Sequence, residues 1–120
     1  MNGAMEKNIC IDKYEKKHER ILIDFLQQCL PESNRTLDLN GRHKFYQDIE
    51  NYFEVFWCMF DENKIVGIVA VKALDDNRCE LKSLYLLERY HGTGWGRRLL
   101  IQALSYAKEK GWDKLICRSL

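Results

Sequence analysis

The chain is poor in the features that mark specialised classes. It has one proline, Pro31, in 120 residues, and no repeated, Gly/Ser-rich or low-complexity stretch, so no flexible linker is expected to divide it. No apolar run approaches the roughly 20 residues that span a bilayer. The opening residues, MNGAMEKN, hold no apolar signal-peptide core. No CxxC pair occurs among the five cysteines Cys10, Cys29, Cys58, Cys79 and Cys117, which argues against a structural zinc site. Their odd number and wide spacing point to reduced thiols in the cytoplasm, most of them small core residues. Charge of one sign is also lacking. The 19 Lys and Arg against 18 Asp and Glu leave a formal net charge of +1, so no field draws the chain to nucleic acid or membrane.

What is present describes one globular domain over residues 1–120, with 1–7 expected to be disordered or a cloning remnant. Hydrophobic residues make up 46% and charged residues 31%, an ordinary balance for a packed domain. Ile9 and Ile11 alternate with polar neighbours in a first strand, 8–14. A helix over 16–30 carries Ile21, Leu22, Phe25, Leu26 and Cys29 on one stripe and is closed by Pro31. A second helix is expected over 42–52, with Phe45, Tyr46, Ile49 and Phe53 on its core face. Strands follow at 54–60, 65–74 and 79–87, joined by the turns Asp61–Lys64 and Asp75–Arg78. The near-continuous apolar run 65–74 reads as a central strand buried on both faces, and Gly67 within it as a bulge or close backbone approach. His18 and His43 read as surface residues.

The stretch CELKSLYLLERYHGTGWGRRLLIQAL, Cys79 to Leu104, organises the rest. A strand runs into alternating Gly92, Gly94 and Gly96, and an amphipathic helix opens at Arg97 and ends near Gly111. Glycines before a helix N-terminus allow an anion to approach unpaired backbone N–H groups. Arg97 and Arg98 sit where the helix dipole disfavours cations, and a bound polyanion would reverse that. The alternative is a surface turn with a solvated Arg pair. The stretch is no P-loop, because no Gly-Lys-Ser/Thr follows. It is no dinucleotide fingerprint either, because its third glycine falls one place early. A strand over 114–118 completes a strand–helix–strand unit, which implies a parallel right-handed crossover. The order is β-α-α-β-β-β-α-β.

This stretch resembles motif A of the GCN5-related N-acetyltransferase (GNAT) superfamily, whose signature is Arg/Gln-x-x-Gly-x-Gly/Ala. Arg89-Tyr-His-Gly92-Thr-Gly94 satisfies it. A second register puts His91 at the Arg position, followed by Gly92, Gly94 and Gly96. Leu84-Tyr85-Leu86 is similar to the strand end that precedes the motif in that family. The resemblance is specific over about 80–120, and the element order agrees with it. It implies an α/β fold with a mixed sheet, the GNAT-like acyl-CoA N-acyltransferase fold.

The resemblance further implies that acetyl-CoA lies across the end of the strand leading to Leu87. Backbone groups of Leu84 and Leu86, flanking Tyr85, would hold the pantetheine arm. N–H groups from Gly92 through Thr93, Gly94 and Trp95 to Gly96 would hold the pyrophosphate, with charge from Arg97 and Arg89. An N–H near Leu86 would polarise the thioester carbonyl, and a primary amine of unknown identity would attack directly. That amine must first lose a proton. Glu80 is the candidate base; its plainer reading is a solvent-facing residue paired with Lys82 or Arg78. Tyr85 is a candidate hydroxyl or a core aromatic. The resemblance implies no metal, and it sets the aromatics of 42–53 beside the acceptor.

The family's fold continues past this point with a helix and two strands bearing its Asn and Tyr, whereas this sequence stops at Leu120. The expectation is a fragment or short form, active weakly or not at all, that forms a homodimer through the edge of its last strand. Other classes are a CoA-binding or partner-binding module with little turnover, and a nucleotide-binding α/β domain.

Overall fold

Seven consecutive buried residues mark strand β3, Lys64–Ala73, as the centre of the sheet, where only the ends reach solvent. A computed structural model describes residues 8–117. Five strands form one sheet in chain order: β1 (Ile9–Lys13), β2 (Val55–Asp61), β3, β4 (Arg78–Leu86) and β5 (Lys114–Cys117). The first four pair antiparallel, and β5 lies parallel to β4, as a strand–helix–strand crossover requires. The expectations for residues 1–7 and for Arg118 lie outside the described residues.

Three helices flank the sheet: α1 (Glu19–Cys29), the single turn α2 (Ile49–Tyr52) and α3 (Trp95–Lys110). Neighbouring β2 residues show which element covers which face. Phe56 meets Tyr46 and Phe53, whereas Trp57 meets Tyr106 of α3. Successive strand side chains point to opposite faces, so α3 covers one face and the segment around α2 the other. Leu22, Phe25 and Leu26 of α1 and Leu99 and Ala103 of α3 are fully buried.

Several expectations need correction. The helix over 16–30 opens as a 3-10 turn, Lys16–His18, and its α-helical part ends at Cys29 with Leu30 as C-cap, just ahead of Pro31 as expected. It continues as a 3-10 turn, Leu30–Ser33, until Asn34 caps it in the left-handed region at φ 60°. Pro31 fits there because a first-turn N–H has no intrahelical partner. The helix over 42–52 is broken at Asp48, whose φ of −141° separates a 3-10 turn, Lys44–Gln47, from α2. The break lets Phe45 stack on Tyr52, centroids 4.8 Å apart. Cys29, Cys58 and Cys79 are buried, but Cys10 and Cys117, on the two outermost strands, are exposed. His43 is no surface residue. It is 7% exposed, its Nδ1 accepts the Asp38 N–H at 3.0 Å, and burial lowers its pKa. Gly67 is a close approach, as expected, since a Cβ there would stand 3.0 Å from Leu86 Cδ1 and 3.1 Å from Leu99 Cδ1.

The loop helices are tied to the sheet by a hydroxyl pair, Tyr46 Oη and Ser83 Oγ, 2.8 Å apart, at residues 2% and 1% exposed. Tyr46→Phe strands the Ser83 hydroxyl and should cost about 1–3 kcal/mol. Adding Ser83→Ala removes the orphaned group and should recover part of that loss. Urea unfolding of the two single variants and the double variant measures the coupling.

Candidate functional site

A bulge determines which β4 side chains meet. Ser83 pairs with Ala70 and Leu81 with Val71, so Lys82 is the extra residue. Tyr85, Ser83 and Glu80 stand opposite Ile68, Ala70 and Lys72, which are alternate residues of β3 and share a face. Without the bulge, the three-residue step from Glu80 to Ser83 would put them on opposite faces. With it, Glu80, Ser83 and Tyr85 line the face away from α3. Lys82 leans over the Phe45 ring at 5.7 Å, and Lys72 over Tyr52 at 4.3 Å. Glu80 is not the solvent-facing residue of the plainer reading. It is 8% exposed, and Arg78 pairs instead with Asp75 at 2.7 Å.

Beyond β4 the chain makes a 3-10 turn, Glu88–Tyr90, then the glycine turn, then α3. Gly92 and Gly94 have φ of 78° and 91°, the left-handed region that glycine enters without strain. Gly94 brings no capping side chain and the first turn of α3 has no acidic residue, so no carboxylate of that turn offsets its positive pole. The Thr93 hydroxyl donates to Tyr90 O and accepts the Trp95 N–H at 3.4 Å. A cavity of about 330 Å³ lies against this turn, lined by Leu84, Leu86, Gly92, Gly94, Gly96 and Arg97, together with Tyr85 and His91.

Three residues singled out in the sequence fall outside that lining. Arg89 stacks on Tyr90 at 5.1 Å. Thr93 is engaged in the turn, and Trp95 is buried with Arg98 over its ring at 4.4 Å. His91 lines the cavity, but its Nε2 donates to Leu86 O at 2.9 Å. That bond ties the turn back to the strand it left.

A second cavity, about 500 Å³, adjoins the same strand end and shares Leu84, Tyr85, Leu86 and His91 with the first. Its other wall comes from the end of α1 and the loop beyond: Cys29, Glu32, Ser33 and Arg35. Arg35 Nη1 donates to Tyr85 Oη at 3.1 Å, and the Glu88 N–H donates to Glu32 Oε1 at 2.8 Å. Burial pushes the Cys29 thiol up to about 11, so it is a poor nucleophile near neutrality. No sequence pattern flags Arg35 or Glu32, because their partners Tyr85 and Glu88 lie 50 and 56 positions away. Among the described residues, no group of three or more His, Cys, Asp or Glu is placed to hold a metal, and no helix is long and apolar enough to cross a membrane.

The model of the acetyltransferase (GNAT) family matches residues 19–119; the chain belongs to that family. It is 33% identical over 90 residues to the uncharacterized N-acetyltransferase YedL of Escherichia coli, covering 75% of this chain and 52% of YedL. The chain thus spans about half the length of that relative. Its fold is similar to an acetyltransferase of Streptococcus agalactiae, with a TM-score of 0.84 at 23% identity, over 92% of this chain and 73% of the other. It is also similar to a GNAT family acetyltransferase of Elizabethkingia anophelis with acetyl-CoA bound. There the TM-score is 0.67 at 22% identity, over 92% of this chain and 64% of that one.

The glycines of the turn differ in what they tolerate. Gly94→Ala puts a side chain in the left-handed region and should destabilise by about 1–2 kcal/mol. A Cβ at Gly96 would meet only Leu86 Cδ2, at 3.7 Å, so Gly96→Ala should leave stability unchanged or raise it by about 0.4–1 kcal/mol. Thermal unfolding of the pair, without ligand, checks the contrast.

Proposed function

We propose that the protein transfers an acetyl group from acetyl-CoA to a primary amine by direct attack. The observation that carries this reading is the meeting of two cavities at the end of β4, one against the N-terminus of α3 and the other against α1. The acetyl-CoA bound to the Elizabethkingia acetyltransferase, a neighbour in fold, supports acetyl-CoA as the donor. The residues present suit a diphosphate: a glycine turn with room at Gly92 and Gly94, no first-turn carboxylate, and Arg97 in the lining. The diphosphate then sits on the N–H groups of the Gly92–Gly96 turn, with Arg97 as its cation. Arg89 and His91 contribute less, because one is stacked on Tyr90 and the other is bonded to Leu86 O. Leu84 and Leu86 hold the pantetheine arm through their backbone, and an N–H at this strand end polarises the thioester carbonyl.

Attack needs the neutral amine, so a proton must leave. Glu80 lies six residues before Leu86, about 20 Å along an extended strand, too far for direct contact with an amine at Leu86. A base at Glu80 therefore works through a relay and not by contact with the amine. The reading also takes residues 1–120 as one domain and places the protein in the cytoplasm, where its five free thiols would stay reduced. The outer edge of β5 has no strand partner among the described residues. Pairing with a strand of a second copy would cover it.

Calorimetric titration with acetyl-CoA, together with thiol release over an amine panel, tests the reading. Absence of acetyl-CoA binding would overturn it, and binding without turnover on any amine would leave a CoA-binding module. Arg97→Ala should weaken acetyl-CoA binding about three- to tenfold, more at low salt. Glu80→Gln should lower kcat, most at low pH where neutral amine is scarce, and leave the acetyl-CoA dissociation constant within about twofold. A wild-type pH–rate profile in that variant would remove Glu80 from the mechanism.

A further inference from the structure

We infer that His91 is the group that takes the proton from the attacking amine, through the Nδ1 of a ring whose tautomer is fixed by Leu86 O. This rests on the acetyl-transfer reading above and assigns a residue to its proton step. That reading needs a proton acceptor at the end of β4, and Glu80 lies too far along the strand to touch the amine. Among the described residues, His91 is one of four that line both cavities, with Leu84, Tyr85 and Leu86. Of these side chains, only an imidazole exchanges a proton readily near neutral pH.

The backbone sets the ring at the reacting atoms. Among the described residues, β5 pairs with β4 only over Arg78–Leu81, so the same edge of β4 is open from Lys82 to Leu86. The Leu87 N–H donates to Val66 O of β3 at 3.0 Å. Backbone groups of successive strand residues point to opposite edges, so the N–H and C=O of Leu86 both point off the open edge. The functional reading gives the N–H there to the thioester oxygen. The C=O accepts His91 Nε2 at 2.9 Å. A carbonyl oxygen only accepts, so Nε2 carries the hydrogen and Nδ1 of the neutral ring is a bare acceptor. Among the described residues no group bonds Nδ1, and the residue is exposed. One nitrogen is thus held in place and the other is left to receive a proton. Glu32, Glu88 and Cys29 line the larger cavity with it, as does Arg35, and Arg97 lines the smaller one. The carboxylates favour the imidazolium and the guanidiniums oppose it.

In the step, the amine nitrogen bonds to the thioester carbon and its surplus proton passes to Nδ1. The carbon–sulfur bond then breaks, and the CoA thiolate takes that proton back from Nδ1. The ring ends neutral, and the products are the amide and the free thiol. Glu80, where it contributes, acts beyond His91 in the relay.

Gln is the discriminating substitution, because its amide N–H can still donate to Leu86 O but it has no basic nitrogen. In thiol-release assays on the best amine of the panel, His91→Gln should lower kcat about hundredfold or more, the scale of a lost general base. The acetyl-CoA dissociation constant, by calorimetry, should stay within about twofold. Added imidazoles should restore turnover to His91→Ala. At a pH where both rings are neutral, 4-methylimidazole should restore more than 4-bromoimidazole, which is similar in size and less basic. A brace for the turn would answer to size and not to basicity. Near-wild-type kcat in His91→Gln would overturn the inference and leave the acetyl-transfer reading standing. So would a loss confined to the acetyl-CoA dissociation constant, or rescue that is absent or equal for the two imidazoles. Wild-type protein that releases no thiol with any amine would overturn both.

Discussion

The register shift opposite Ala70 and Val71 is the constraint on which the site depends. A strand alternates strictly, so an odd spacing separates two residues across the sheet. One extra residue, Lys82, puts Glu80 on the face of Ser83 and Tyr85. The same shift leaves Leu84 and Leu86 opposite Val69 and Gly67, on the face where Leu86 and Leu99 both come within contact distance of a Cβ at Gly67. One strand therefore carries titratable and hydroxyl groups on one side and apolar groups on the other. Bulges recur where a strand must re-aim a side chain, and the functional reading needs that division: acceptor chemistry on one face, the donor's arm along the end.

The glycine turn follows from the strand's direction. Parallel pairing of β4 and β5 requires the chain to leave β4 at its C-terminal end and return through a helix. That fixes the N-terminus of α3 beside the end of β4 and makes the helix's positive pole a neighbour of whatever lies along that strand. Left-handed backbone at Gly92 and Gly94 makes the connection short, and the Leu86 O–His91 bond closes it. His91 thus ties the glycine turn to the strand end that both cavities share.

Much of this was legible in the sequence. The strands announce themselves by apolar runs between polar turns, and Gly92, Gly94 and Gly96 ahead of the Leu99–Ala103 stripe mark strand, turn and helix without a structure. The failures share a cause. Asp48 breaks a helix whose periodicity is sound, and Phe45 stacks on Tyr52 across the break. The 3-10 turn Leu30–Ser33 was missed because a pattern does not distinguish i→i+3 from i→i+4 bonding near a helix end. His43 and Glu80 were read by the polarity of their neighbours in sequence, whereas burial depends on neighbours in space. Arg35 and Tyr85 are fifty positions apart, and no local pattern encodes their contact.

Gly67 shows how tightly these parts are joined. It lies on the central strand, across from Leu86 and under Leu99, and a Cβ there would also stand 3.3 Å from Tyr85 O. A methyl group would press on the two leucine side chains and on the backbone of the strand end where both cavities meet. The side chains could shift by rotamer changes, but the carbonyl could move only with β4. Overpacking of this kind costs about 1–3 kcal/mol, and here the strain would fall on the backbone between Tyr85 and Leu86. The missing side chain is therefore part of the site's geometry: α3 packs close enough to bring its N-terminus to the strand end because β3 offers no side chain at that point.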